Sequence, residues 1–402
     1  MNKYAIIVPC IFMILFGQMT SLLATEPNWN YKTDKIVYSV STSSDGNYIA
    51  CGSLDNNFYL LSKEGNLLWK YPSNDRALSV DLTPDGSYIV GGSRDKKIYF
   101  FSNKGDLLWS FSTSNTVESV ALSFDGTKII AGSDDGKAYY LSGKGDLIWS
   151  YDANSPVTTV AITPNGDFVA IGSKNQSVYL LSKDGKVIWD IKTPGEINSV
   201  DISFEGNNIA VGTNNGWLYI ISNSGEILGK LKINDGVITV KTNDVGEYIV
   251  AGSRDGGLYI ISKNGQVLSK TLEDRGIYSV TINPTGTLIA AGSMDKIYFI
   301  SNKGEPVWSY QTFNDKNYLY SINSLAISLD SSTLVTTSRD SVFLFDCGEK
   351  KEYNIELYTQ NRESIKDEII SNQNLSENKE ISFNKRKGLI DMILYFLGIK
   401  NS

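Results

Sequence analysis

Five aspartates recur along the chain, each three residues after a glycine: Asp55, Asp95, Asp135, Asp255 and Asp295, with Asn175 and Asn215 at two equivalent places. Carboxylates in series are raw material for cation sites and for acid–base pairs. The interval argues for a plainer use. The glycines concerned, Gly52, Gly92, Gly132, Gly172, Gly212, Gly252 and Gly292, stand 40 residues apart. A side chain that returns with every period serves the period, and an aspartate in a turn accepts backbone N–H groups. The tyrosines that follow, seven residues after the glycine from Tyr59 to Tyr259 and six after it at Tyr298, take the same structural reading.

What the chain lacks narrows the chemistry further. It has 402 residues and no histidine. Ser-His-Asp triads and histidine-ligated zinc sites are therefore impossible. Three cysteines, Cys10, Cys51 and Cys347, have no metal or redox spacing. A net charge of −7 argues against general nucleic-acid binding. No catalytic, cofactor-binding or metal-binding residue is assigned.

The better candidates for function are residues that break the period. Trp217 is the one tryptophan of the repeated region off the repeat position, and an exposed tryptophan is a binding anchor. Arg94, Arg254 and Arg339 fill the variable place of the Gly-Ser-x-Asp turn, and Arg76 and Arg275 sit in variable loops. Together they form candidate partner-binding positions that would read carboxylates or other anions. Asp201 and Lys241 replace small residues on neighbouring inner strands, where a structural ion pair is expected. Asn175 and Asn374 head Asn-x-Ser sequons and are candidate glycosylation sites.

The elements that must position these residues are strands. Within one period "SVDLT", "SYIVGGS", "KIYFFS" and "DLLWSF" are separated by "PDG", "RDK" and "NKG". Runs of this length rich in Val, Ile, Tyr and Phe read as strands, and the glycines supply positive φ in the turns. Four antiparallel strands in about 40 residues make a propeller blade. Inner strands begin near residues 37, 77, 117, 157, 197, 237, 277 and 322, which gives eight blades. The outermost strand carries Trp69, Trp109, Trp149, Trp189 and Trp308, with Gly229 and Ser269 as exceptions. Trp29 stands 40 residues before Trp69, so the N-terminal strand is expected to complete the eighth blade; "EYNIEL" (352–357) is the rival. The loops between blades and the second turn of each blade share one face, which carries the variable sequence.

The stretch "SVALSFDGTKIIAGSDDG" (119–136) resembles a WD repeat, and "GDLIWSY" (145–151) resembles the repeat of eight-bladed quinoprotein propellers. The whole is similar to the hybrid WD-like and pyrroloquinoline-quinone-like propellers of prokaryotic surface proteins, over residues 28 to about 347. The resemblance implies an all-β, eight-bladed architecture. It also implies three kinds of function. The first is a non-catalytic, exported scaffold that binds a protein or a surface glycan. The second is a quinone- and calcium-dependent dehydrogenase, and the third an envelope assembly factor. The chain lacks the WD histidine and the quinoprotein insertions, which favours the scaffold with no cofactor.

Four segments are expected: 1–24, 28–348, 349–387 and 388–402. Residues 4–24 are apolar and uncharged behind Lys3, which reads as a helical signal peptide or membrane anchor and implies export. Residues 28–348 form the propeller, and 349–387 a polar linker. Residues 388–402 are expected to hold a short apolar helix, too short to span a bilayer, that meets the membrane, a partner or the propeller.

Overall fold

A computed structural model describes residues 26–272, 275–312 and 322–348. The chain divides into a unit of residues 1–350 and a second of residues 351–402, which lies outside the described residues. The described strands form eight four-stranded antiparallel sheets. Blade 1 shows the pattern: strand a is Val37–Thr42, b is Tyr48–Ser53, c is Asn57–Ser62 and d is Leu67–Pro72. Strands b and c are buried almost throughout, while strand d alternates between exposed and half-buried residues. That gradient runs from the middle of each blade to the circumference.

The eighth sheet has the order expected from the tryptophan spacing. The N-terminal strand Trp29–Lys32 pairs antiparallel with Ser341–Asp346, with Trp29 opposite Leu344. The rival closing segment, 352–357, lies outside the described residues. One expectation is corrected. Every regular element among the described residues is a strand, so the fold class is corrected to an all-β eight-bladed propeller with no helix among the described residues. The segments where those helices were expected, 1–24 and 388–402, fall outside the described residues.

Each blade is covered by its neighbours. Eight separate hydrophobic clusters exist, and each draws its residues from two consecutive blades. Phe58 and Leu60 of blade 1 pack with Ile89, Tyr99 and Phe101 of blade 2. Val37, Ile49 and Leu61 of blade 1 pack with Val335, Val342 and Leu344 of blade 8, beside Trp29. The ring is therefore closed by a core of the same kind as every other interface.

The outer tryptophans fasten the circumference. In five of them the indole N–H donates to a backbone carbonyl in the c–d turn of the next blade: Trp29 to Lys63 O at 2.7 Å, Trp69 to Asn103 O at 3.1 Å, Trp109 to Gly143 O at 3.0 Å. Trp149 and Trp189 repeat this at 2.9 and 3.2 Å. The ring lies flat on a turn glycine, as Trp69 does on Gly105. That glycine has a φ of 88°, and a Cβ there would come within 2.9 Å of the indole. Where Gly229 replaces the tryptophan, the next blade moves in. A Cβ on Gly229 would lie 2.6 Å from Gly265 Cα.

Two opposite substitutions test this fastening. Trp69→Ala should lower the unfolding free energy by about 2–4 kcal/mol, because it opens a void at one interface. Gly229→Trp restores the residue of the repeat yet should cost about 1–3 kcal/mol, because backbone already fills the space. Urea denaturation measures both; a stabilising Gly229→Trp would show that the blades are not fixed this way.

Candidate functional site

The repeated aspartates are hubs within the turns. Asp95 Oδ1 accepts Lys97 N at 3.1 Å, and its Oδ2 accepts Tyr99 Oη at 2.5 Å and Asn74 N at 2.9 Å. One carboxylate thus ties the b–c turn, the strand-c tyrosine and the loop entering the blade. Asp55 and Asp135 make the same three bonds. Burial and the bond to Asp95 push the Tyr99 phenol well up from its ordinary value. In blade 7 the Arg275 guanidinium reaches Asp295 at 3.0 Å, so this candidate residue joins the turn hub. Asn175 plays the hub in blade 4. Its amide donates to Ala153 O and Tyr179 Oη, both at 2.7 Å, which uses both amide hydrogens of the sequon. Asn374 lies outside the described residues.

The inner strands enclose a channel of about 580 Å³. Their hydroxyls hold consecutive blades together: Ser39 accepts Val80 N, Ser79 accepts Val120 N and Ser119 accepts Val160 N, at 3.1–3.2 Å. Asp81 and Asp201 strengthen the same seam. Asp81 Oδ2 accepts Leu122 N at 2.9 Å and Asp201 Oδ2 accepts Thr242 N at 2.8 Å. Lys241 Nζ lies 3.1 Å from Asp201 Oδ1, and that carboxylate raises the lysine pKa against the opposing effect of burial. Burial raises the pKa of Asp81, offset in part by its hydrogen bonds to Leu122, Leu82 and Ser41. On the face of the a–b turns, Phe124 and Phe204 meet edge to face, 5.4 Å between centroids, although a whole blade separates them in sequence. This contact lies across the channel at that end, and the face of the b–c turns holds the opposite mouth.

At that mouth lie the residues that do not repeat. Strand a carries a bulge at its second residue in blades 1–6 and in blade 8. In blades 4, 5 and 8 the side chain there bonds to the next blade: Thr158 to Ile197 O at 2.7 Å, Asn198 to Val237 O at 2.9 Å, Asn323 to Val37 O at 3.0 Å. In blades 1–3 the position holds Tyr38, Leu78 and Glu118, which make no such bond. Instead these three line a cavity of about 300 Å³ together with Arg76, Arg94 and Asp134. Tyr38 is 46% exposed, a large figure for an aromatic on an inner strand.

The candidate residues separate on this geometry. Arg76 and Arg94 meet at the cavity, and Arg94 Nε lies 4.0 Å from Asp75. Arg254 occupies the same turn place in blade 6 and is exposed. Arg339 is half-buried at a φ of 54°. Trp217 opens strand c of blade 5, two strands out from the channel. It is half-buried against Tyr219, with Lys230 Nζ 4.4 Å from its ring centre. Sequence reasoning missed Tyr38, Leu78, Glu118 and Asp134. Their signal was legible: the fourth residue of strand a is Val40, Val80, Val120, Val160 and onward, while the second changes in almost every blade.

Comparison with known proteins agrees with this architecture. Residues 24–167 match a family model described as outer membrane protein assembly factor BamB. Residues 266–300 match the WD domain, G-beta repeat. The chain is a WD/PQQ-like propeller repeat protein. Residues 109–240 match a family of unknown function. No curated protein matches the sequence. Among solved structures, Sqt1 of Chaetomium thermophilum bound to the N-terminus of the ribosomal protein L10 superposes with a TM-score of 0.72 at 18% identity, over 80% of this propeller chain and 100% of that one. A computationally designed protein, Ika8, gives 0.68 at 16% identity, over 81% and 99%. At such identities the likeness is one of fold.

The quinoprotein side of the resemblance implies a quinone held with calcium in the channel. The channel carboxylates do not fit that group. Asp81 and Asp201 are committed to interblade N–H groups and to Lys241, and among the described residues no three His, Cys, Asp or Glu side chains converge as metal ligands.

Glu118 gives the site a measurable signature. Burial raises its pKa most, the Asp134 charge and hydrogen bond raise it further, and Lys174 and Arg94 act against them. A carboxyl raised in the folded state stabilises the fold when protonated. That contribution is present below the unfolded pKa of about 4.3 and is lost as pH rises through the folded value. Glu118→Gln should therefore be more stable than the native chain near neutral pH, with the two urea midpoints converging in acid. Parallel midpoints at every pH would show that Glu118 is freely solvated.

Proposed function

We propose that this protein is a non-catalytic propeller scaffold that binds a protein partner at the channel mouth on the face of the b–c turns. The observation that supports it most is the gathering of non-repeating side chains at that mouth, on a frame whose other positions repeat. A rigid scaffold with variable positions on one face is the usual arrangement of a binding surface. The fold likeness to an Sqt1 whose structure was solved with the N-terminus of a ribosomal protein supports a protein ligand. Arg94 and Arg254 extend the surface around the mouth, and Trp217 marks a further contact on blade 5.

The apolar residues 4–24 behind Lys3 carry the second part of the reading, which is export and work near a membrane. The match of residues 24–167 to the assembly-factor model favours the envelope as the place of work.

The test is crosslinked capture from envelope fractions with the full chain as bait. Arg94→Glu combined with Arg254→Glu should lose the partner, whereas Lys144→Glu, on the opposite face, should retain it. Equal retention by both would remove the mouth as the binding surface.

A further inference from the structure

In blades 1 and 6 three groups meet at the outer end of the b–c turn: the turn aspartate, the strand-c tyrosine and a lysine directly across from it on strand d. Tyr59 Oη donates to Asp55 Oδ2 at 2.7 Å, and Tyr259 Oη to Asp255 Oδ2 at 2.6 Å. Lys70 Nζ stands 5.2 Å from the Tyr59 ring centre, and Lys270 Nζ 5.5 Å from that of Tyr259. Blade 5 keeps the tyrosine and the lysine. Lys230 lies opposite Tyr219, with its Nζ 5.2 Å from the ring centre. The turn residue is Asn215, and its side chain accepts Thr213 Oγ1 at 2.8 Å instead of meeting Tyr219. Blade 4 also has an asparagine there, but Asn175 donates to Tyr179 Oη.

No described residue hydrogen-bonds to the Tyr219 phenol. Tyr219 is 2% exposed, yet its hydroxyl reaches solvent: among the described residues the side-chain atoms both sealed and unpartnered are Asp134 Oδ1 and Ser293 Oγ. Two ammonium groups stand beside it. Lys230 Nζ and Lys232 Nζ lie 4.4 and 5.7 Å from the ring centre of Trp217, the neighbour of Tyr219 on the same face of the blade. Lys232 Nζ also donates to Asn215 O. Neither lysine has an ion-pair partner among the described residues. Asp235, the acid of the loop that leaves blade 5, accepts Gly236 N instead. A buried O–H donor beside two unpaired cations, in a chain of net charge −7, is a point of anion recognition.

We propose that this groove binds an aspartate or glutamate side chain of the partner protein, whose carboxylate takes at Tyr219 and Lys230 the place that Asp55 and Asp255 hold in their own blades. This extends the scaffold reading outward from the mouth along the b–c face and rests on it. The phenol donates to the carboxylate, and the two lysines balance its charge. Trp217 packs on the core shared by blades 4 and 5, beside Ile191, and walls the groove against water, which strengthens both contacts. Lys230 already lies over the indole, so the ring has no bare face on that side for a sugar to stack on. That favours an acidic polypeptide over an acidic glycan.

The experiment offers the full-length protein a positional-scanning library of acetylated, amidated hexapeptides, whose only carboxylates are side chains. Asp or Glu should be enriched at one position, and Asn or Gln should not replace it. Tyr219→Phe and Lys230→Gln, made singly, should each weaken the best peptide by about tenfold or more. Asn215→Asp sets an internal carboxylate beside the phenol and should weaken it as much, while Lys144→Glu on the opposite face should leave it unchanged. Urea denaturation checks that each variant is folded. Enrichment of basic or apolar peptides, binding of an oligogalacturonate with no acidic-peptide preference, or acidic binding insensitive to the three groove variants would overturn the proposal. Failure here, with partner capture still lost in the Arg94 and Arg254 charge reversals, would sink the carboxylate site alone. Capture indifferent to those reversals would sink the scaffold reading beneath it.

Discussion

A four-stranded blade has two apolar faces and nothing of its own to cover them. Every other feature of this protein depends on that constraint. The solution is a ring in which each blade is both cover and covered, and the eight hydrophobic clusters, each shared by two neighbours, are its direct expression. A ring of this kind needs its last interface as much as its first. The strand Trp29–Lys32 supplies it by joining the two ends of the propeller within one sheet. The same constraint explains why the sequence repeats, since each blade must present the same pair of faces.

Repetition also decides where function can reside. Positions that seal interfaces have little freedom. Gly132 shows why: a Cβ there would lie 2.6 Å from Val157 of the next blade. The turn aspartates, the interblade hydroxyls and the docked indoles are bound in the same way. Freedom returns at the bulged second residue of strand a and in the turns around it, because these point into the mouth rather than into a neighbour. Blades 4, 5 and 8 still use that position for an interblade bond, while blades 1–3 do not. The difference leaves a cavity on one side of the ring.

Much of the fold was legible in the sequence, because period, turn chemistry and tryptophan spacing are all local signals. The 40-residue step from Trp29 to Trp69 identified the closing strand, and the recurrence of the aspartates identified them as turn hubs. The candidate site was legible only in part. Arg76 and Arg94 were singled out as variable, but their convergence on Glu118 and Asp134 depends on a bulge that shifts register within strand a, which a strand pattern does not display. Asp201 was expected to pair with Lys241, and its carboxylate, like that of Asp81, also accepts a backbone N–H from the following blade. That use depends on neighbour geometry rather than on residue type. Arg275, a candidate partner-binding residue in the sequence, is exposed and also completes a turn with Asp295.

The central claim is that partners meet the mouth and not the opposite face. Photo-crosslinking tests it most directly, with benzoylphenylalanine placed in the full chain either at Tyr38, 46% exposed at the mouth, or at Val245, 55% exposed in an a–b turn. The account predicts a discrete adduct from position 38 and none from position 245. An adduct from Val245 alone would contradict it and assign recognition to the face on which Phe124 and Phe204 meet across the channel.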